Sequence, residues 1–173
     1  MDRKLQGRNR VLIRVLFALP AIIAIVIVLW LKGFFLPSWI VWNRSSEEGI
    51  PEGVKKKLES SWLVQDALNF DINGDGSAEW LLLVWKRGSY GKHRPSWVKR
   101  DEIGFSQHIF IYSEREDGWH AIWMSSKLEM KAATFLMGKE IPGTGRRSLD
   151  IVAPDKSVSS WGWLTWGLQR VNW

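Results

Sequence analysis

One short stretch, residues 71–79, combines oxygen-bearing side chains at a spacing that suits a metal ion. It reads Asp-Ile-Asn-Gly-Asp-Gly-Ser-Ala-Glu, with carboxylates at its first, fifth and ninth positions and an amide oxygen at its third. The glycine at its sixth position permits a sharp turn, and the serine after it can offer a peptide carbonyl. Calcium prefers six to eight oxygen ligands, some of them water. The predicted calcium ligands are Asp71, Asn73, Asp75, Ser77 and Glu79.

The sequence that follows the loop excludes an EF-hand. An EF-hand loop ends in a bidentate glutamate at its twelfth position, which here is Leu82. Leu82 lies in the run Trp80 to Trp85, which is apolar on both alternating faces and is therefore typical of a buried strand. The loop is predicted to join this strand to a preceding one at residues 64–70.

The loop and the strand after it resemble the calcium loops of FG-GAP/VCBS-type repeats, the integrin-alpha-like pattern. The matching residues are Asp71, Asn73, Asp75, Gly76 and Glu79, followed by the apolar strand. The resemblance covers about residues 62–86 and implies a calcium-stabilised β-hairpin with a structural ion. Family members usually carry several copies and build propellers, whereas this chain has one good copy.

A metal-free hairpin turn is the alternative interpretation of the same loop. Asn-Gly and Asp-Gly favour tight turns without any ion. Such a turn, however, does not require acids at positions 71, 75 and 79 together. Calcium is therefore the favoured interpretation, with the dissociation constant of about 10⁻⁴–10⁻³ M that is typical of extracellular modules.

The amino-terminal part has the pattern of a membrane anchor. Residues 1–14 form a basic tail with five Lys/Arg and one acid, and residues 15–31 carry no charge. At about 1.5 Å per residue this uncharged run is about 26 Å long, close to a bilayer core of about 30 Å. We predict a single transmembrane helix at residues 15–36, an aromatic belt after it, and a cytoplasmic amino terminus. A cleaved signal peptide is disfavoured because no Ala-x-Ala-like site ends the run.

The charge distribution and the cysteine content exclude several functions for the chain after the anchor region. From residue 45 onward there are 17 Lys/Arg and 17 Asp/Glu, so the net charge of +6 belongs to the anchor region. The basic isoelectric point is therefore no sign of nucleic-acid binding. The chain has no cysteine, which excludes disulfides and cysteine-zinc sites. An exported domain without disulfides fits a bacterial cell envelope.

The predicted fold class is all-β. Residues 37–61 are predicted to form an interfacial segment, a linker at 43–50 and a short helix from Pro51 to Ser60. Residues 62–173 are predicted to form a small antiparallel β-sandwich, curved sheet or partial propeller-like domain. The strands are predicted at residues 64–70, 80–86, 107–113, 119–125, 132–137, 148–152 and 163–168.

A second notable stretch, residues 86–100, holds six Lys/Arg and no acid. One interpretation is a solvated surface loop, and the other is a patch for anionic partners such as lipid headgroups, wall polymers or acidic glycans. The candidate partner-surface residues are Lys86, Arg87, Lys92, Arg94, Trp97, Lys99 and Arg100.

No catalytic residue is predicted. The three histidines share no metal-ligand spacing, and the sequence contains no nucleophile elbow, phosphate loop or His-Glu-x-x-His motif. The favoured function is a membrane-anchored extracytoplasmic binding or structural module with a calcium loop. Two alternatives stay open: an envelope enzyme or accessory subunit that acts on wall polymer or exported polysaccharide, and a membrane-complex subunit that pairs through its helix.

Overall fold

The computed structural model describes residues 19–91 and 94–171, which contain three short helices and eight strands. Helix α1 is helical over residues 19–31 of the described chain. Helix α2 is Arg44–Glu48 and helix α3 is Glu52–Lys55. The strands are β1 Leu63–Phe70, β2 Glu79–Arg87, β3 Phe105–Arg115, β4 Gly118–Met124, β5 Thr134–Glu140, β6 Arg147–Val152, β7 Val158–Leu164 and β8 Gly167–Arg170.

The strands form two four-stranded antiparallel sheets, which confirms the all-β prediction. The first sheet has the order β1-β2-β3-β4 and the second β5-β6-β7-β8, so within each sheet consecutive strands pair. Alternating side chains of β2 explain how the layers stack. Leu81 and Leu83 pack with residues of the second sheet, whereas Leu82 and Val84 pack with Val54 of α3. The first sheet is thus buried on both faces, as its continuous apolar run predicts.

Buried polar side chains join the two sheets. Gln65 of β1 is fully buried, and its Nε2 donates to the carbonyl of Ala133 at 2.7 Å. Gln107 of β3 donates to the carbonyl of Ala132 at 2.6 Å and to Gln65 Oε1 at 2.8 Å. Because an unsatisfied buried amide costs free energy, these bonds fix the position of the segment entering β5.

Asp66, the residue after Gln65, makes a second set of bonds between the sheets. Its carboxylate accepts hydrogen bonds from the Thr134 hydroxyl, the Phe135 N–H at 3.1 Å and the Ser46 hydroxyl at 2.9 Å. It is only 2% exposed. The start of β5 and the helix α2 are therefore both held to β1.

The helix predicted from Pro51 to Ser60 is wrong in length, because α3 ends at Lys55. The chain continues in tighter turns, with Leu58 N–H donating to the Lys55 carbonyl, and only Val54 of α3 is buried. The predicted linker at 43–50 instead contains α2. Asn43 caps this helix by accepting a hydrogen bond from Ser46 N–H, and asparagine is among the residues preferred at a helix N-cap.

The strand predicted at residues 163–168 is also wrong, since a hairpin turn lies in its middle. Strand β7 ends at Leu164, Thr165 has a φ of 53°, and β8 starts at Gly167. A side chain at Gly167 would overlap the indole of Trp123. The apolar run therefore reflects two strands that pack on the same core, and its glycine marks a close packing contact.

The domain contacts the chain just beyond α1. Phe105 N–H donates to the Gly33 carbonyl at 2.7 Å, and the rings of Trp39 and Trp85 lie 5.9 Å apart. Among residues 19–91 and 94–171, no helix has the length and apolar character needed to span a membrane. The predicted basic tail and residues 15–18 of the predicted span lie outside the described residues, and the predicted end of the span at residue 36 is wrong, because the helix stops at residue 31.

Candidate functional site

The acidic loop lies between β1 and β2 and joins them as an antiparallel hairpin, as predicted. Ile72 is fully buried in the core shared by the two sheets, whereas residues 74–78 are exposed. Gly74 and Gly76 have φ values of 80° and 90°, a region that glycine adopts without strain. The loop is therefore anchored at one residue and turns through its glycines.

The side chains of the loop hold its own backbone. Asp71 accepts the N–H of Gly74 at 2.6 Å and the N–H of Gly76 at 2.8 Å. Asn73 Oδ1 accepts the N–H of Asp75, and Asp75 Oδ1 accepts the N–H of Ser77, both at 2.8 Å. These local bonds explain why aspartate and asparagine stand at these positions.

Glu79 differs from the other acids because its side chain is fully buried. Its Oε2 accepts the N–H of Ile72 at 3.2 Å, and its Oε1 accepts Asn73 Nδ2 at 2.9 Å. Burial raises the pKa of Glu79 to about 7; the Ile72 N–H opposes this rise, and the charges of Asp75 and Asp71 add to it. A carboxylate with two like charges beside it is thus placed where water does not reach.

The donor set suits calcium, while the side-chain arrangement is that of a hydrogen-bonded loop. Asn73 Nδ2 donates to Asp75 Oδ2 and to Glu79 Oε1, both at 2.9 Å, and therefore lies between two of the three carboxylates. In the part of the chain that the structure describes, no three His, Asp or Glu side chains are grouped to hold a metal. The carboxylate and amide oxygens remain the ligand types that calcium prefers.

The predicted partner-surface residues do not form one patch. Arg94, Trp97, Lys99 and Arg100 are exposed, Trp97 at 81%. Lys86 is only 6% exposed, because it lies on the face of β2 that turns toward the α3 side. Lys92 lies outside the described residues.

The stretch between β2 and β3 is organised by an acid that sequence analysis did not single out. Asp101 accepts the N–H groups of Ser89 and Gly91 at 2.7 Å, together with those of Tyr90 and Glu102. Burial acts to raise the pKa of Asp101, but these four N–H donors outweigh it and lower the pKa. The loop is therefore a structured turn around one carboxylate.

A cavity of about 360 Å³ lies beside this turn. Sequence analysis missed it because its walls come from four separate parts of the chain. They include Glu59, Trp62, Lys86, Arg87, Tyr90, Phe105, Phe110, Ser125 and Ser126. The one local signal was an aromatic residue within the basic stretch, Tyr90, which lines the cavity.

The histidines are not grouped in the described residues. His108 is fully buried in β3, its Nε2 is 2.8 Å from Ser106 Oγ, and its Nδ1 is 3.1 Å from the carbonyl of Ser125. Burial lowers the pKa of His108 to about 4, so the ring is neutral at pH 7. His120 lies 2.9 Å from Asp117 at the β3–β4 turn, and His93 lies outside the described residues.

No protein-family model, no curated protein and no solved structure matches the chain. The likeness of residues 62–86 to FG-GAP/VCBS repeats therefore stays a prediction from the residues of the loop.

Proposed function

We propose that the protein is a membrane-anchored extracytoplasmic β domain whose 71–79 loop binds calcium as a structural ion. It would serve as a binding or structural module of the cell envelope, without catalysis of its own. The observation that carries the calcium part is Glu79, a fully buried carboxylate with Asp71 and Asp75 beside it.

A divalent cation would offset the repulsion among these three carboxylates. A buried charge is costly unless it is paired, and calcium supplies two positive charges at once. Asp71, Asp75 and Glu79 would provide carboxylate oxygens, the Asn73 amide would turn its oxygen inward, and Ser77 would offer its carbonyl. The FG-GAP/VCBS resemblance supports the same ligand set.

The ion would stabilise the hairpin because the loop is tied to both sheets. Ile72 is buried in the common core, and the Arg146 side chain packs against Gly74 so closely that a methyl group there would overlap it. Arg146 in turn donates to the carbonyl of Trp163 at 2.9 Å. An ion that fixes the loop would therefore also hold the β5–β6 turn and β7 in place, through Arg146.

Thermal unfolding of the full chain in a non-ionic detergent tests the calcium proposal. We expect calcium at millimolar concentration, but not magnesium, to raise the melting temperature relative to chelator. Asp75→Ala should remove this shift. Asp155→Ala is the matched control, because Asp155 makes a similar local turn bond to Ser157 N–H in another exposed loop. An unmutated protein that melts identically with calcium and with chelator would disprove a calcium-binding loop.

The anchor proposal is supported by the apolar side chains of α1. Leucine, isoleucine and valine side chains project on all sides of this helix, each about half exposed: Leu19, Ile22, Ile23, Ile25, Val26, Ile27 and Val28. A helix that is apolar all round fits the interior of a bilayer. The basic tail before it favours a cytoplasmic amino terminus.

Cysteine labelling tests this orientation cleanly, because the chain has no cysteine of its own. A membrane-impermeant maleimide added to intact cells should label Glu116→Cys, in the exposed β3–β4 turn. It should not label Gln6→Cys until the membrane is opened. Release of the protein from membranes by alkaline carbonate, or the reverse labelling pattern, would refute the anchor or its orientation.

The exposed basic residues fit anionic lipid headgroups as their partner. Gly104 packs directly on the carbonyls of Lys32 and Gly33, so the 88–104 turn returns to the end of α1. Headgroups at that end of the helix would meet Lys99 and Arg100, with Trp97 at the interface. In nanodiscs with anionic lipid, nitroxide lipids should quench a fluorophore at Trp97→Cys more than one at Glu116→Cys. Equal quenching at both sites would argue against this partner.

A further inference from the structure

The cavity beside the first sheet has the size and composition of a small-molecule site. Its volume of about 360 Å³ lies within the range of about 300–1,000 Å³ that is typical of ligand pockets. Aromatic rings form much of its wall, and the Trp62 and Phe110 centroids lie 4.9 Å apart. It lies on the α3 side of the first sheet and shares no lining residue with the calcium loop.

A buried cation lines this cavity. Lys86 is 6% exposed, and its Nζ donates to the carbonyl of Gly88 at 3.2 Å. An ammonium group carries three N–H donors, so this bond leaves capacity for a ligand. Burial lowers the pKa of Lys86, while Asp101 and Glu59 act to raise it. The two carboxylates therefore compensate only in part for the loss of water around the Lys86 amine.

A second cationic residue, Arg87, also lines the cavity, but its guanidinium is held by groups beside it. The Arg87 guanidinium lies 4.4 Å from the centre of the Phe105 ring and 4.1 Å from that of Phe34, and it donates to the carbonyl of Ile103. The lining offers one carboxylate, that of Glu59, and the Asp101 carboxylate also acts on Lys86 from outside the lining. The cation that is buried in the lining is thus Lys86, and its ammonium favours an anionic ligand.

We propose that this cavity binds a small amphipathic monoanion, with an aromatic or alicyclic body and a single carboxylate. The carboxylate accepts a hydrogen bond from Lys86 Nζ, and the apolar body lies between Trp62 and Phe105. Hydroxyls of Ser125 and Ser126 offer further polar contacts at the side of the cavity. This site is independent of calcium and of the anchor, so its test does not depend on theirs.

Three probes of equal shape and different charge test the proposal: naphthoate, naphthalenemethanol and naphthylmethylamine. Their dissociation constants are measured with the full chain in non-ionic detergent by ligand-observed NMR, and empty micelles give the background. We expect naphthoate to bind at least about ten-fold more tightly than the alcohol, as one charge-assisted hydrogen bond allows. The amine should bind most weakly. Equal affinities, or preference for the amine, would overturn the proposal.

Two variants connect this preference to the cavity. Lys86→Met should reduce naphthoate affinity at least about ten-fold and leave that of the alcohol nearly unchanged, whereas Lys139→Met, at an exposed site on β5, should change neither. Ser126→Trp, at an exposed lining residue, should weaken both the anion and the alcohol by filling the cavity, with Lys86 intact. Unchanged naphthoate binding in folded Ser126→Trp would place the ligand elsewhere and refute the site, even if Lys86→Met fails to fold.

Discussion

Glu79→Gln provides the sharpest test of the reasoning about the acidic loop, because it should act in opposite directions with and without calcium. The folded-state pKa of Glu79 is about 7 against an ordinary 4.5. At about 1.36 kcal/mol per pKa unit, this difference corresponds to about 3 kcal/mol of destabilisation when the group is ionised. The raised pKa means that the metal-free protein loses stability as pH rises from about 4.5 through about 7.

In chelator at pH 8, Glu79→Gln should therefore be more stable than the unmutated protein. We expect a gain of about 1–2 kcal/mol, smaller than the full penalty, because the new amide also places an N–H₂ group near Asn73 Nδ2. At pH 5 Glu79 is largely protonated in the folded state, so the gain should be lost and the cost of the new amide should make the variant slightly less stable than the unmutated protein. In saturating calcium at pH 8 the order should reverse, because the variant lacks one ligand carboxylate.

Urea unfolding followed by tryptophan fluorescence gives the free energies, at pH 5 and pH 8, with chelator or calcium. Asp155→Asn is the control, since it removes an exposed acid from a different turn. Comparison of variants at one pH cancels the contributions of titrating groups that do not interact with Glu79. A Glu79→Gln variant that is less stable than the unmutated protein in chelator at pH 8 would refute the assignment of a repelled, buried carboxylate.

Three further outcomes are expected. His108 has a folded-state pKa of about 4 against 6.5, so the protein should lose about 3 kcal/mol as pH falls from 6.5 toward 4; His108→Gln should reduce this loss in urea unfolding at each pH. Asp66→Ala should cost about 3 kcal/mol in the same assay, because buried donors of Thr134 and Phe135 lose their acceptor, while Asp66→Asn should cost less. Gly104→Ala should expose residues 33–43 to limited proteolysis, because the added methyl group overlaps the carbonyl of Lys32; an unchanged cleavage pattern would contradict that packing.

Local patterns were enough to predict the hairpin and most strands. The apolar run 80–85 and the acidic loop before it predicted both strands of the hairpin. These signals are local, because turn residues and strand periodicity depend only on residues that are close in sequence. The boundaries failed where one apolar run served two strands, as at Thr165. Periodicity alone does not distinguish a long strand from two short ones that face the same core.

Features made by distant residues could not be predicted. Gln65 and Gln107 are 42 positions apart in sequence, yet they share a hydrogen bond in the seam between the sheets. Lys86 appeared in the sequence as one of a group of basic residues, but its position in β2 buries it. The hydrogen bond that Asn73 Nδ2 donates to Glu79 Oε1 was equally hidden, since residue spacing gives ligand types without side-chain orientation.

The bond between the Gly33 carbonyl and Phe105 N–H decides how the domain would be presented at a membrane. A domain that is joined to its membrane anchor by a long flexible linker can reach partners far from the lipid surface. Here the Gly33 carbonyl, which lies just beyond α1, accepts a hydrogen bond from Phe105, the first residue of β3, so on the proposed anchor the β domain would be held in a fixed position next to the bilayer. The domain would then extend from the bilayer by no more than its own dimensions. Only molecules close to the lipid surface would encounter its cavity.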